Sequence, residues 1–262
     1  MRNLRRLALQ LLRPLTVNNK VIKKRMKLFS LQVGTPKKFG HEDATDLMDK
    51  EWTSGIFKEP IEGPVFAKQT GLVGDGQADL KNHGGPDKAI NAYPREHFVY
   101  WKEQLGLECL PGAFGENFTT QGLLETDAFI GDVFKIGEII VQVTQPRQPC
   151  WKLARKWRVK NLAALVQKTG YTGWYFRVLN EGKVVAPDEF ELLERPHPEW
   201  SVAKANNIMH NMKTDWDASL QLGSCPALSK SWASSLITRA QKQQIAQEEP
   251  RLIGENDDKV PN

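Results

Sequence analysis

Cys150 is the residue of this chain best equipped for chemistry. It closes the run Gln145-Pro146-Arg147-Gln148-Pro149-Cys150. Pro146 and Pro149 each fix their own φ and lack an N–H, so they end a strand and stiffen the loop that follows. Arg147, Lys152, Arg155 and Lys156 lie close in sequence, and cations beside a thiol favour the thiolate. A thiolate in a stiff, electropositive loop suits a nucleophile or a ligand to a soft metal. A buried structural cysteine is the competing reading of the same segment. Neither Cys109 nor Cys225 lies in such a loop.

Three further clusters carry polar groups beside glycine or a helix start. Asn82 to Ala89 contains His83, Gly84, Gly85, Asp87 and Lys88. Paired glycines allow positive φ and let a backbone approach a ligand closely; a tight turn with solvated charges is the plainer reading. The spacing matches neither a Walker loop nor a dinucleotide-binding fingerprint. Phe114 to Phe118 holds Gly115, Glu116 and Asn117, which offer hydrogen bonds to a heterocycle or simply turn the chain into a strand. Tyr93 to His97 contains Arg95 at an expected helix start, where a phosphate or an ordinary cap would fit. HExxH and G-x-S-x-G are absent. A Cys–His hydrolase would need the fold to aim His83 or His97 at Cys150.

The elements that must position these residues read as mainly β. Short strands are expected at Phe29–Val33, Pro64–Gln69, Ala89–Tyr93, Val133–Ile136, Ile139–Thr144, Gly173–Leu179, Lys183–Ala186 and Glu189–Glu194, with a hairpin turn at Gly137. Many short strands punctuated by glycine predict a closed or nearly closed barrel with peripheral helices. One helix is expected from Pro94 and another over Lys152–Thr169. After Pro196 the pattern turns helical. Ser201 caps a segment with Val202, Ala205, Ile208 and Met209 on one face, and Asp215–Leu222 and Ser229–Ala246 follow. The organisation expected is therefore a basic leader over 1–25, a β-barrel domain over 26–196, a three-helix unit over 197–250 and a disordered tail over 251–262.

Composition excludes several classes. Hydrophobic residues at 40% and charged residues at 26% are those of an ordinary globular protein, and no apolar run could span a membrane. Three cysteines without a CxxC argue against a disulfide framework or a structural zinc site and fit a reducing, cytoplasmic setting. The net charge of +5 belongs to the first 41 residues, which carry eleven Lys/Arg and no acid. The remainder holds 25 basic against 31 acidic residues, so a nucleic-acid-binding surface is not supported. The leader reads as an organellar address, a secretory signal or residues upstream of a true start at Met26. The third reading is favoured, because Met26 opens directly into an alternating strand.

Taken in order, His83-Gly84-Gly85, Gly115-Glu116-Asn117, Gly131-Asp132-Val133-Phe134, Gln145-Pro146-Arg147 and Pro149-Cys150 resemble the MOSC family of molybdenum-cofactor proteins. The C-terminal helices resemble its bacterial branch with a three-helix extension. The resemblance covers about Met26 to Ala246. It implies a β-rich barrel, a bound Mo-pyranopterin and Cys150 as the protein ligand to molybdenum. It further implies reduction of N-hydroxylated small molecules, hydroxylaminopurine-type bases among them. His83, Gly84, Gly85, Lys88, Arg95, Glu116, Asn117 and Arg147 are the expected cofactor-binding residues. Without a flavin fingerprint or iron–sulfur cysteine spacing, electrons must come from a separate reductase, a flavin or iron–sulfur protein. Neither a nucleic-acid partner nor stable membrane insertion is expected. The alternative function is a carrier that holds sulfur on Cys150 as a persulfide during cofactor maturation; a Cys-dependent hydrolase ranks last.

A chain starting at Met26 is expected to be soluble, cytoplasmic and fully active. Mass-spectrometric mapping of the mature N-terminus in the native host tests this. A peptide from upstream of Met26, with organelle or membrane fractionation of only the longer form, would show the leader to be an address.

Overall fold

The computed structural model describes residues 25–254. The expectations for residues 1–24 and for 255–262 lie outside the described residues.

Seven strands carry the central curl. They are β1 (Lys27–Val33), β2 (Ile90–Pro94), β3 (Phe118–Gln121), β4 (Val133–Ile136), β5 (Ile139–Pro146), β6 (Trp174–Asn180) and β7 (Glu191–Glu194). Their spatial order is β1-β3-β2-β6-β5-β4-β7. Neighbours are antiparallel except β2 and β3, which run parallel. The expected strand at Glu189–Glu194 divides in two. Asp188–Glu189 pairs with β1, whereas Glu191–Glu194 pairs with β4. One segment therefore reaches both edges of the curled sheet, with only Phe190 between the two pairings. Phe190 turns inward against Phe118, Phe134 and Phe176. The fold is α+β with a dominant mixed sheet, as the sequence predicts.

Both faces of β2 and of the first half of β6 are buried, and the period-2 alternation of their side chains separates two cores. Ile90, Ala92, Trp174 and Phe176 point into the barrel with Leu28, Phe118 and Val143. On the outer face Tyr93 packs with Trp52, Ile56, Trp101, Phe114, Leu153, Leu162 and Val166. Tyr93 stacks on Phe114 at a centroid separation of 4.3 Å. The outer layer includes α2 (His97–Leu105), α3 (Lys152–Trp157) and α4 (Leu162–Thr169); the short α1 (Leu80–His83) stands at its rim.

The C-terminal extension covers the barrel rather than hanging from it. It comprises α5 (Val202–His210), α6 (Trp216–Gly223) and α7 (Lys230–Lys242). Ser201, Asp215 and Ser229 each accept a backbone N–H at the start of one of these helices as N-caps, the role expected of Ser201. Val202, Ala205, Ile208, Trp232 and Leu236 join the barrel core. Arg239 donates to the Ile208 and Met209 carbonyls and to Ser219 Oγ, fastening α7 to its neighbours.

Four boundaries differ from expectation. Pro94 ends β2 instead of opening a helix: it pairs with Thr120, and the next N–H, from Arg95, continues the ladder to the Thr120 carbonyl. The helix expected over Lys152–Thr169 breaks at Arg158, which adopts φ +56° while its guanidinium bridges Asp49 at 2.7 Å and the Met48 carbonyl at 2.8 Å. The break lets Leu153 and Leu162 both reach the outer core. The third extension helix ends at Lys242, because Gln243 turns left-handed at φ +50°. Residue 251, placed in a disordered tail, lies inside a fourth C-terminal helix, α8 (Glu249–Leu252).

Gly173 is where β6 meets β2 most closely. It has φ +67°, and a Cβ there would sit 2.0 Å from the Ala92 carbonyl oxygen. Gly173→Ala is expected to cost at least about 2 kcal/mol of stability through backbone strain and displacement of β2. A chemical-denaturation midpoint unchanged from wild type would show that the strands can part without cost.

Candidate functional site

The alternation that fills the two cores leaves polar side chains on the outer face beside the cysteine loop. Asn91 lies between inward Ile90 and Ala92, and Tyr175 between inward Trp174 and Phe176. β5 ends at Pro146, paired with Trp174, and the Arg147 N–H donates to the Gly173 carbonyl. Arg147 and Cys150 are thereby set beside Asn91 and Tyr175. His83 of α1 and Lys88 of the following turn close one side, and Ser54, Lys58, Asp75, Asp79, Asn117 and Lys152 complete a polar cleft. It encloses about 580 Å³, open solvent included.

The cleft makes Cys150 acidic. Partial burial of the thiol raises its pKa. The His83 hydrogen bond and charge, the Arg147 guanidinium and the Lys152 backbone N–H more than offset that, bringing it from 9.0 to about 7. The other thiols go the opposite way. Burial and the Glu116 carboxylate push Cys109 up to about 12, and burial raises Cys225.

Arg147 supplies the second decisive feature. It is only 5% exposed, and its Nη1 has no hydrogen-bond partner. A buried guanidinium nitrogen without a partner calls for an acceptor from outside the chain, and an anion matches it best. Asn91 Oδ1 is likewise buried and unpartnered, an acceptor for a ligand N–H. Asn117 is committed to the protein: its Oδ1 accepts the Asn91 N–H at 3.1 Å, and its Nδ2 donates to the Gln32 carbonyl. Lys58 and Asp75 form a buried ion pair at the cleft wall, and Asp75 also takes the Gly34 N–H.

Comparison with known proteins fits this arrangement. A MOSC domain model matches residues 79–191, and a YiiM-like 3-alpha helix domain model matches residues 200–243. The uncharacterized protein YflK of Bacillus subtilis is 44% identical over 215 residues, 82% of this chain and 95% of that protein. The crystal structure of YiiM from Geobacillus stearothermophilus superposes with a TM-score of 0.69 at 40% identity, covering 82% of this chain and 99% of its own. The chain belongs to the MOSC family. A third relative, from Gibberella moniliformis, is named a reductase; it is 36% identical over 165 residues, 61% of this chain and 29% of that protein.

Not every residue expected to bind a cofactor reaches the MOSC cleft. Cys150, His83, Lys88, Asn117 and Arg147 line it; Gly84, Gly85, Arg95 and Glu116 do not. Gly84 caps α1, with its N–H on the Leu80 carbonyl. Gly85 supplies the turn at φ +95°. The Arg95 guanidinium lies 3.8 Å over the Phe29 ring. Glu116 is fully buried and organises its own loop, accepting the Gly112 and Phe114 N–H groups and the Thr119 hydroxyl. Of the four cations near Cys150 in sequence, Arg147 and Lys152 line the cleft. Arg155 turns to the Lys50 carbonyl and Lys156 to those of Ile56 and Gly112. His97 is packed rather than ligating, paired with buried Glu125 at 2.8 Å.

Asn91, Tyr175, Lys58, Asp75 and Asp79 escaped the sequence reading. Asn91 gave a signal, as a lone amide within an otherwise apolar strand. Lys58 and Asp75 gave none, since their partnership spans a loop.

Iodoacetamide should label Cys150 selectively, with a rate that rises through about pH 7. The depressed folded value means the thiolate's contribution to stability is complete above the unfolded thiol value of 9.0 and is lost as pH falls through about 7. His83→Ala should move the labelling midpoint upward. An unmoved midpoint would remove His83 as the cause.

Proposed function

We propose that this chain is a molybdenum-dependent oxidoreductase that reduces N-hydroxylated compounds, hydroxylaminopurine-type bases included. The observation that carries this reading is one cleft holding both an acidified thiol, Cys150, and a buried guanidinium nitrogen without a partner, Arg147 Nη1. Together they suit a metal–organic anion. The Gibberella relative, named a reductase, supports reductive chemistry.

The donor set fits a Mo-pyranopterin. Thiolate suits a soft, high-valent metal, and Arg147 with Lys88 and Lys152 suits the cofactor phosphate. Asn91 Oδ1 can accept from a pterin N–H. Among the described residues no group of three or more His, Cys, Asp or Glu could hold a metal, so Cys150 would be one protein ligand alongside ligands from the cofactor. When bound, the cofactor supplies two electrons at the N–O bond.

The chain's own residues supply position and charge. Reduction of N–OH to N–H releases water and consumes two electrons and two protons. His83 holds the Cys150 thiolate through its hydrogen bond. Lys88, whose pKa burial lowers while Asp87 and Asp79 partly restore it, adds to the positive charge of the cleft. Electrons come from a separate flavin or iron–sulfur reductase.

Cys150→Ser, expressed in a cofactor-producing host, should retain less than about a tenth of the wild-type molybdenum and lose N-hydroxylamine reduction while staying folded. Full reduction by this variant would end the ligand assignment. Arg147→Ala should weaken cofactor retention about ten- to a hundredfold, the scale of a lost charged hydrogen bond. A wild-type molybdenum-to-protein ratio after purification would remove Arg147 from the site. Persulfide on Cys150 with no molybdenum would favour the sulfur-carrier function instead.

A further inference from the structure

We propose that Arg251 is a positioning residue for Cys150, and that residues 248–254 form a strap tying the three-helix extension to the cysteine loop.

The strap grips Cys150 through both of its chain neighbours. Arg251 Nη1 donates to the Pro149 carbonyl at 2.6 Å, and the Trp151 N–H donates to the Arg251 carbonyl at 2.9 Å. Arg251 Nη2 donates to Gln167 Oε1 on α4 at 2.6 Å, so the guanidinium bridges the loop and the outer layer. Beyond it, Gly254 lies flat against Trp151: an added Cβ would fall 2.2 Å from that ring. Pro149 stiffens one side of the cysteine but has no N–H with which to anchor itself. The strap supplies the missing anchor through the Pro149 carbonyl.

The other end of the strap is fixed to the extension. Glu248 accepts from Nδ1 of His210, the last residue of α5, at 3.0 Å and pairs with Lys213 in the loop that follows. It also accepts from Gln167 Nε2 at 3.1 Å. Although burial opposes its charge, His210 and Lys213 draw Glu248 down to about 2. Burial lowers Arg251, while Glu248 and the Cys150 thiolate partly restore it. A continuous run of charged hydrogen bonds thus leads from α5 through Glu248 and Arg251 to the loop of Cys150. Bonds of this kind hold geometry more firmly than neutral ones.

Only the effect on metal rests on the proposed function; the positioning itself is measurable without metal. The test is hydrogen exchange of the Trp151 amide in the full-length protein, read beside exchange in β2 and β6. Arg251→Ala should speed Trp151 exchange about tenfold and leave the strands unchanged. Arg251→Lys keeps one donor for the Pro149 carbonyl but lacks the second arm for Gln167, and should fall between. Gly254→Val, which wedges the strap off Trp151 without touching the guanidinium, should match the alanine variant and stands in for it if that variant does not fold. Trp151 exchange within about twofold of wild type in the folded variants would overturn the proposal. So would exchange that rises equally throughout the barrel, or loss of the folded state in every variant. If Trp151 exchange rises while bound molybdenum does not fall, the strap stands and only its effect on metal fails, the ligand assignment being tested by Cys150→Ser.

Discussion

A sheet whose central strands are buried on both faces is the constraint from which the rest of this molecule follows. β2 and β6 must present one set of side chains to the barrel core and the other to a second, outer core. Strand geometry leaves no freedom in the matter, because successive side chains point to opposite faces. Ile90, Ala92, Trp174 and Phe176 satisfy the inner demand, and Tyr93 the outer one. Asn91 and Tyr175 fall on the outer face, and the cleft opens there. A slip of one residue in either strand would send the polar groups inward and tryptophan outward. Register, core and site are one decision.

The cleft is a place of unequal charge balance. Where the protein wants an ion pair it builds one fully: Lys58 and Asp75 are buried together, and Asp75 also takes the Gly34 N–H. Arg195 and Asp132 do the same through two hydrogen bonds where the linker leaves the barrel. Arg147 in the cleft has no such pair: its Nη1, like Nε of Arg177 and Arg239 elsewhere among the described residues, is buried without a partner, which is costly unless a ligand completes it. The same positive field lowers Cys150 while burial and Glu116 raise Cys109. Only one of these thiols is thereby made reactive near neutral pH.

The three-helix extension belongs to this arrangement mechanically. Its apolar faces complete the barrel core, and Ser229 Oγ donates to Gln145 Oε1 at 2.6 Å, two residues before Arg147. On the other side Asn206 of α5 donates to Thr172 Oγ1, beside the glycine whose carbonyl holds Arg147. The cysteine loop is therefore braced from the barrel and from the extension. Stiffness matters at a metal or nucleophile site, because ligand geometry held in advance need not be organised on binding.

Much of this was legible in the residues. Alternating apolar patterns located six of the seven central strands within about two residues and missed only Phe118–Gln121, whose Thr119 and Thr120 break the apolar alternation; the capping side chain of Ser201 marked the first extension helix. The ordered motifs around His83, Asn117, Arg147 and Cys150 pointed to the family and to part of the site. Local chemistry determined those features, so the sequence displayed them. Other features depended on which distant groups meet. The Arg95 guanidinium lies over the Phe29 ring and Glu116 bonds its own loop, so neither lines the cleft. Arg158 broke a helix because Asp49 and Met48 stood opposite it, and Pro94 stayed in a strand because Thr120 offered a ladder partner. Lys58 with Asp75, and Arg251 with Pro149, are pairings across 17 and 102 positions. No local pattern announces such contacts, since they exist only once the chain has closed around two cores. The sequence by itself determined which residues could do chemistry, and tertiary structure decided which of them share a cleft.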